Sequence, residues 1–165
     1  MPRHAHILPR NLKPGGWVEL CDYDYVYKCD DGTLTPDLAM CRNADLVLGA
    51  SRKLGRDPCP GPRLKGWIED GGFTNITEKC FKLPIGPWPK DRRLKEIGLW
   101  NQMQFLQGVE AWTMGLLTSV YGWTAQEVQV EVARVREDAK NMNIHSYYMM
   151  HVVYGQKPPE RGGDP

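Results

Sequence analysis

Pro14, Gly15 and Gly16 stand directly before a run at 17–22 that mixes large apolar residues with polar ones, close to the start of the chain. Proline fixes φ and the two glycines reach backbone angles closed to other residues, so the segment predicts a tight turn that delivers the chain into a strand. Two further stretches have strand character. At 73–83, Phe73, Ile76 and Phe81 interleave imperfectly with Thr, Asn, Glu and Lys; at 144–154, His145, Tyr147, Met149, His151 and Val153 would share one face. Helical patterns fill the intervals, and strands separated by helices favour an α/β layer with crossover connections. About three strands make a small sheet for that class.

The helical stretches carry their own punctuation. Thr35-Pro36 reads as N-cap and first helical residue, opening a helix with Leu38, Cys41, Asp45 and Leu48 in one stripe, Met40, Ala44 and Val47 beside it, and Gly55 at its end. A short helix from about Arg63 places Leu64, Trp67 and Ile68 together before Gly71-Gly72 stop it. Three prolines make 83–89 irregular. Residues 91–122 read as two helices, the first marked by Leu94, Ile97, Gly98, Asn101 and Phe105. The second carries Val109, Trp112, Leu116, Leu117 and Val120, is apolar nearly all round, and is expected to be buried. Thr124 to Glu127 form a capping box. Behind it Val128, Val132, Val135 and Ala139 line a dry side, with Gln126, Glu131, Arg134 and Asp138 on the wet one. Residues 1–11 read as a helix tail or frayed end, and 159–165 as a disordered tail.

Composition removes several function classes. A formal net charge of +1 on 165 residues argues against nucleic acid or an anionic membrane as partner. No apolar run is long enough for a membrane span and the amino terminus lacks a secretory core, so the expected compartment is intracellular, cytoplasmic or nuclear. Five cysteines (Cys21, Cys29, Cys41, Cys59, Cys80) contain no C-x-x-C pair, which predicts reduced thiols, several of them in the core. With no cysteines or histidines recurring at zinc-site spacing, no metal site is expected; His4 and His6 belong to the terminus.

The motifs Leu12-Lys13-Pro14-Gly15-Gly16, Trp17-Val18-Glu19, Asp30-Asp31-Gly32-Thr33, Glu69-Asp70-Gly71-Gly72-Phe73, Leu83-Pro84-Ile85-Gly86-Pro87-Trp88-Pro89-Lys90-Asp91, Lys95-Glu96-Ile97-Gly98 and Tyr154-Gly155-Gln156-Lys157-Pro158 occur in that order. Together they resemble the carboxy-terminal half of the LaeA-like S-adenosylmethionine-dependent methyltransferases of filamentous fungi, a family tied to secondary metabolism. The resemblance implies a partial Rossmann-like class I methyltransferase fold over residues 1–158. Residues 17–22, 73–83 and 144–154 become strands five, six and seven of the parent sheet, the seventh antiparallel between the other two. Helices at 36–53 and 91–140 become an insertion that roofs the acceptor pocket.

The donor implied is S-adenosyl-L-methionine, and the acceptor a small metabolite or a protein. No Gly-rich loop stands between a strand and a helix, so no cofactor-binding residue is assigned and the donor-gripping half is expected to be absent from this chain. A shortened, non-catalytic relative that binds a partner, or has no activity, is the alternative. Such a chain would leave the outer edge of strand five bare, for self-association or a partner. By the same analogy His145 is the candidate catalytic base, set against a structural histidine. Trp88 and Trp112 are candidate walls for an apolar or aromatic acceptor, set against plain core. Lys95 is a candidate substrate contact, set against a surface ion pair with Asp91.

Overall fold

The Pro-Gly-Gly turn does not act alone. In the computed structural model, which describes residues 8–159, it is fastened to the far end of the chain. Gly15 adopts φ +77°, and its N–H donates to Lys157 O at 2.9 Å. Lys157 N–H donates back to Gly16 O at 2.8 Å, and the Gln156 side-chain amide donates to Gly15 O at 2.9 Å. The expectations for residues 1–7 and 160–165, including His4, His6 and most of the disordered tail, lie outside the described residues.

The element order is α1 (Leu8–Asn11), β1 (Trp17–Tyr23), α2 (Ala39–Lys53), a 3₁₀ turn (Gly61–Arg63), α3 (Leu64–Asp70), β2 (Thr74–Pro84), α4 (Arg92–Tyr121), α5 (Ala125–Lys140) and β3 (Tyr147–Gln156). The three strands form one sheet in the order β1-β3-β2. β3 pairs antiparallel with β1 in a register that runs from Trp17↔Gln156 to Tyr23↔Met150. β2 starts beside the end of β3, where Thr74 Oγ1 donates to Gln156 O at 3.2 Å. Just past its own end, Ile85 N–H donates to Ser146 O at 2.9 Å, so β2 also runs antiparallel to β3. The last strand therefore lies between the other two, as the resemblance implies.

The chain divides into two compact units, with boundaries inside β2 and β3. Of the described residues, the first holds 8–23, 60–81 and 150–159. Its core is Val18, Leu64, Ile68, Phe73 and Val153, with Leu12, Leu20, Trp67 and Ile76 packed against it. Complete burial of an Ile or Val side chain contributes about 1.5–3 kcal/mol. The second unit holds residues 24–59 and 82–149, where α2, α4 and α5 pack on one another. Met40, Val47, Phe105, Val109, Leu117, Val128, Val132 and Val135 are buried there.

Several expectations are corrected. Residues 92–121 form one helix rather than two: Asp91 caps its start by accepting Leu94 N–H at 2.8 Å, Gly122 ends it at φ +70°, and no proline intervenes. Gly108 is too mild a breaker to split it, because helix-interior glycine costs only about 1 kcal/mol. Nor is its second half buried all round. Phe105, Val109, Thr113 and Leu117 form a single buried stripe, with Leu116 and Val120 half-buried. α2 begins at Ala39 with no cap of its own, and Asp138 of α5 supplies one by accepting Met40 N–H at 3.0 Å. Its buried stripe runs through Met40, Asn43, Ala44 and Val47, leaving Asp45 exposed and Cys41 half-exposed. Glu131, expected on the wet side of α5, is buried. β3 begins at Tyr147, after Ile144, His145 and Ser146 have served as a connection. All five cysteines are free thiols and none is buried. The capping box is present, with Glu127 N–H donating to Thr124 Oγ1 and Thr124 N–H to Glu127 Oε2.

Candidate functional site

In the second unit three separate segments meet: the Asp30–Thr33 turn, the proline-rich stretch after β2, and the connection into β3. Glycine at position 32, at φ +77°, lets the first of these fold back on itself. Asp31 Oδ1 then accepts from Thr33 N–H at 3.1 Å and from Thr33 Oγ1 at 2.7 Å. Its other oxygen meets His145 Nδ1, while His145 N–H donates to Thr33 Oγ1 at 2.9 Å. The hydrogen bonds from the Thr33 hydroxyl and then from His145 hold the Asp31 carboxyl well below the usual carboxylate range. Trp88 stacks on the imidazole with ring centres 5.0 Å apart and planes 28° from parallel. Its indole N–H donates to Ser146 O at 3.1 Å, which fixes the ring.

Next to this pair, Asp30 accepts from Lys82 at 2.5 Å and from Tyr147 Oη at 2.8 Å, and Lys82 also lies 4.9 Å from the Tyr147 ring centre. Lys82 first, then Tyr147, lowers the Asp30 carboxyl, and Asp30 in turn raises both partners.

Chemically, Asp31 orients the imidazole and commits Nδ1, so Nε2 is the ring nitrogen left to take a proton. A carboxylate fixing a histidine tautomer is the usual arrangement for a general base. The stacked indole gives that imidazole an aromatic wall. Two of the four candidate residues, His145 and Trp88, are thus brought together. Trp112 lies elsewhere in this unit, in an aromatic group where its ring meets Tyr25 edge-on at 6.1 Å and Phe105 at 5.9 Å. Its indole nitrogen is buried without an acceptor among the described residues. Only glycine fits one turn earlier, since a Cβ at Gly108 would come within 2.3 Å of the Trp112 ring. Lys95 is exposed on the first turn of α4, and Asp91, its proposed ion partner, serves as that helix's cap.

Asp30, Asp31, Thr33, Lys82 and Tyr147 were missed as site residues. Asp30-Asp31-Gly32-Thr33 stood among the motifs of the resemblance without a site role, and nothing in linear spacing ties it to position 145.

The chain is 44% identical over 157 residues to methyltransferase pytC of Aspergillus terreus, covering 95% of this chain and 48% of that protein. The chain is a relative of the LaeA-like methyltransferases of fungi. It is 34% identical to the probable methyltransferase tdiE of Emericella nidulans, over 93% of this chain and 49% of that one. With the secondary metabolism regulator LAE1 of Cochliobolus heterostrophus it shares 32% identity, over 91% of this chain and 50% of the regulator. It thus spans about half the length of the curated relatives it matches. No family model matches the chain.

S-adenosylmethionine is the usual donor of methyltransferases, and two glycines that follow a strand and precede a helix, Gly86 and Gly32, are the candidates for its cradle. Gly86, between β2 and α4, donates its N–H to Gly98 O at 3.0 Å, and Gln102 Nε2 occupies the space beside it, 3.1 Å from where a Cβ would stand. Gly32, between β1 and α2, is flanked by two carboxylates already engaged by Lys82, Tyr147, Thr33 and His145. Neither glycine offers open backbone together with a free carboxylate for ribose hydroxyls. No helix among the described residues is long and apolar enough to cross a membrane.

Proposed function

We propose that this chain supplies the acceptor side of an S-adenosylmethionine-dependent methyltransferase of fungal secondary metabolism, with a partial class I methyltransferase fold. The observation that carries the reading is the 44% identity to a methyltransferase across 157 residues. S-adenosylmethionine supplies an activated methyl group, so a protein's task is to position the acceptor and remove its proton. Here His145 Nε2 takes that proton from a hydroxyl or amine, Asp31 steadies the resulting imidazolium, and Trp88 sets the ring plane. The acceptor is a small metabolite or a protein side chain.

The filled space beside Gly86 and the engaged carboxylates beside Gly32 favour a second reading, a non-catalytic relative that binds a partner. The outer edge of β1, an edge strand of the sheet, is where self-association or strand addition would occur.

The test is transfer of labelled methyl from S-adenosylmethionine to a pool of hydroxyl-bearing fungal metabolites, run with the chain and its His145→Gln variant. Label incorporation that falls about 10²–10⁴-fold in the variant supports the base assignment. Incorporation unchanged by the substitution removes it. Calorimetric heat with hydroxyl-bearing metabolites that is lost in His145→Gln keeps the acceptor-side reading, and absence of such heat favours the second.

A further inference from the structure

In the first unit, one face of the sheet changes character along its length. Where β1, β2 and β3 present Val18, Ile76 and Val153, the face is apolar and packs against Leu64 and Ile68. Alternation carries the same face of β2 onward to Glu78 and Cys80, and that of β3 back to His151. Across from His151, in register on β1, stands Asp22. The apolar pattern therefore gives way to an acid, a thiol and an imidazole.

Their donor atoms converge. His151 Nδ1 is 3.2 Å from Glu78 Oε1 and 3.4 Å from Cys80 Sγ, and Cys80 Sγ is 3.9 Å from Glu78 Oε1. Bond lengths of about 2.0–2.2 Å for nitrogen and oxygen and about 2.3 Å for sulfur around tetrahedral zinc require ligand atoms roughly 3.4–3.6 Å apart. All three separations fall near that range. A proton on Nδ1 serves one acceptor well; it does not explain why the sulfur and the carboxylate also face each other. Glu78 and Cys80 are exposed while His151 is buried, so one ligand is anchored and the others are reachable from solvent.

We propose that Glu78, Cys80 and His151 form a three-ligand site for a thiophilic divalent cation of the zinc type, with its fourth position open to water. On binding, the Cys80 thiol loses its proton to solvent as the metal–sulfur bond forms. His151 turns its Nδ1 lone pair to the metal and carries its proton on Nε2. One thiolate and one carboxylate balance the two positive charges, so the loaded site is neutral. Linear spacing cannot reveal this site, because its ligands come from two strands joined only by sheet register.

Cobalt(II) titration of the full chain tests the proposal, since tetrahedral thiolate coordination gives a sulfur-to-metal charge-transfer band and visible ligand-field bands. The expected result is saturation at about one equivalent, displacement by zinc, and loss of the charge-transfer band in Cys80→Ser. Glu78→Gln weakens binding by about tenfold or more, and Cys21→Ser, which removes another exposed thiol of this unit, changes nothing. Both ligand substitutions are at exposed positions, and far-ultraviolet circular dichroism checks their folding. No charge-transfer band in the wild type, a band that survives Cys80→Ser, or one lost in Cys21→Ser overturns the site. None of these readouts depends on methyl transfer.

Discussion

His145 and His151 are near neighbours in sequence, yet they are held by different kinds of structure. His145 sits in the connection before β3, its side chain 37% exposed, and its Nδ1 meets an aspartate fixed by its own turn. His151 sits within the central strand, its side chain 11% exposed, and its Nδ1 faces a carboxylate and a thiol on the adjacent strand. A loop-built pair locks one ring nitrogen and leaves the other for chemistry with an outside molecule. A strand-built cluster converges several donors on one point, which suits ligation. The difference lies in the scaffold: turns position single side chains, whereas strand register positions sets of them.

The largest effect expected from a single substitution tests the support of the first site. A Cβ at Gly98 would fall 2.1 Å from Gly86 O, a backbone atom that cannot swing aside. Gly98→Ala should therefore cost about 3 kcal/mol in denaturant unfolding and shift the turn that carries Trp88. The matching change in the other unit is Gly155→Ala, where the new atom meets side chains, Ile68 Cγ2 at 2.8 Å and Ile76 Cγ1 at 3.2 Å. These can adjust, so the expected cost is about 1–2 kcal/mol. Equal costs would show that backbone and side-chain crowding do not separate the two regions.

Smaller is the loss from Thr124→Ala, about 1 kcal/mol, because it removes the N-cap of α5 and touches neither histidine. The gentlest change is in pH dependence. Because the Asp31 pKa is depressed on folding, its contribution is fully present above the unfolded carboxylate value, about 4, and fades as pH falls through the folded value. Thermal melts of Asp31→Asn across roughly pH 2–6 should therefore show a shallower acid limb than the wild type. An unchanged limb would mean that Asp31 gains nothing from Thr33 and His145.

Much of the scaffold was legible from local signals. The Pro-Gly-Gly turn, the strand after it, α3 with its paired glycines and α5 with its capping box are each encoded within a few residues. What escaped was encoded between segments. Asp138 caps a helix far away in sequence, Glu131 is buried by packing that no periodicity records, and the two apolar faces read in 91–122 belong to one continuous helix. The site divides along the same line. His145 and Trp88 were candidates by resemblance, whereas Asp31 and the trio on β2 and β3 depend on contacts between distant parts of the chain.

The most direct test of the acceptor-side account is the tautomer of His145, read from long-range proton–nitrogen correlations of the imidazole ring. The account predicts the proton on Nδ1, held toward Asp31, with the population moving toward Nε2–H in Asp31→Asn. A wild-type ring that carries its proton on Nε2, unaffected by that substitution, would contradict it.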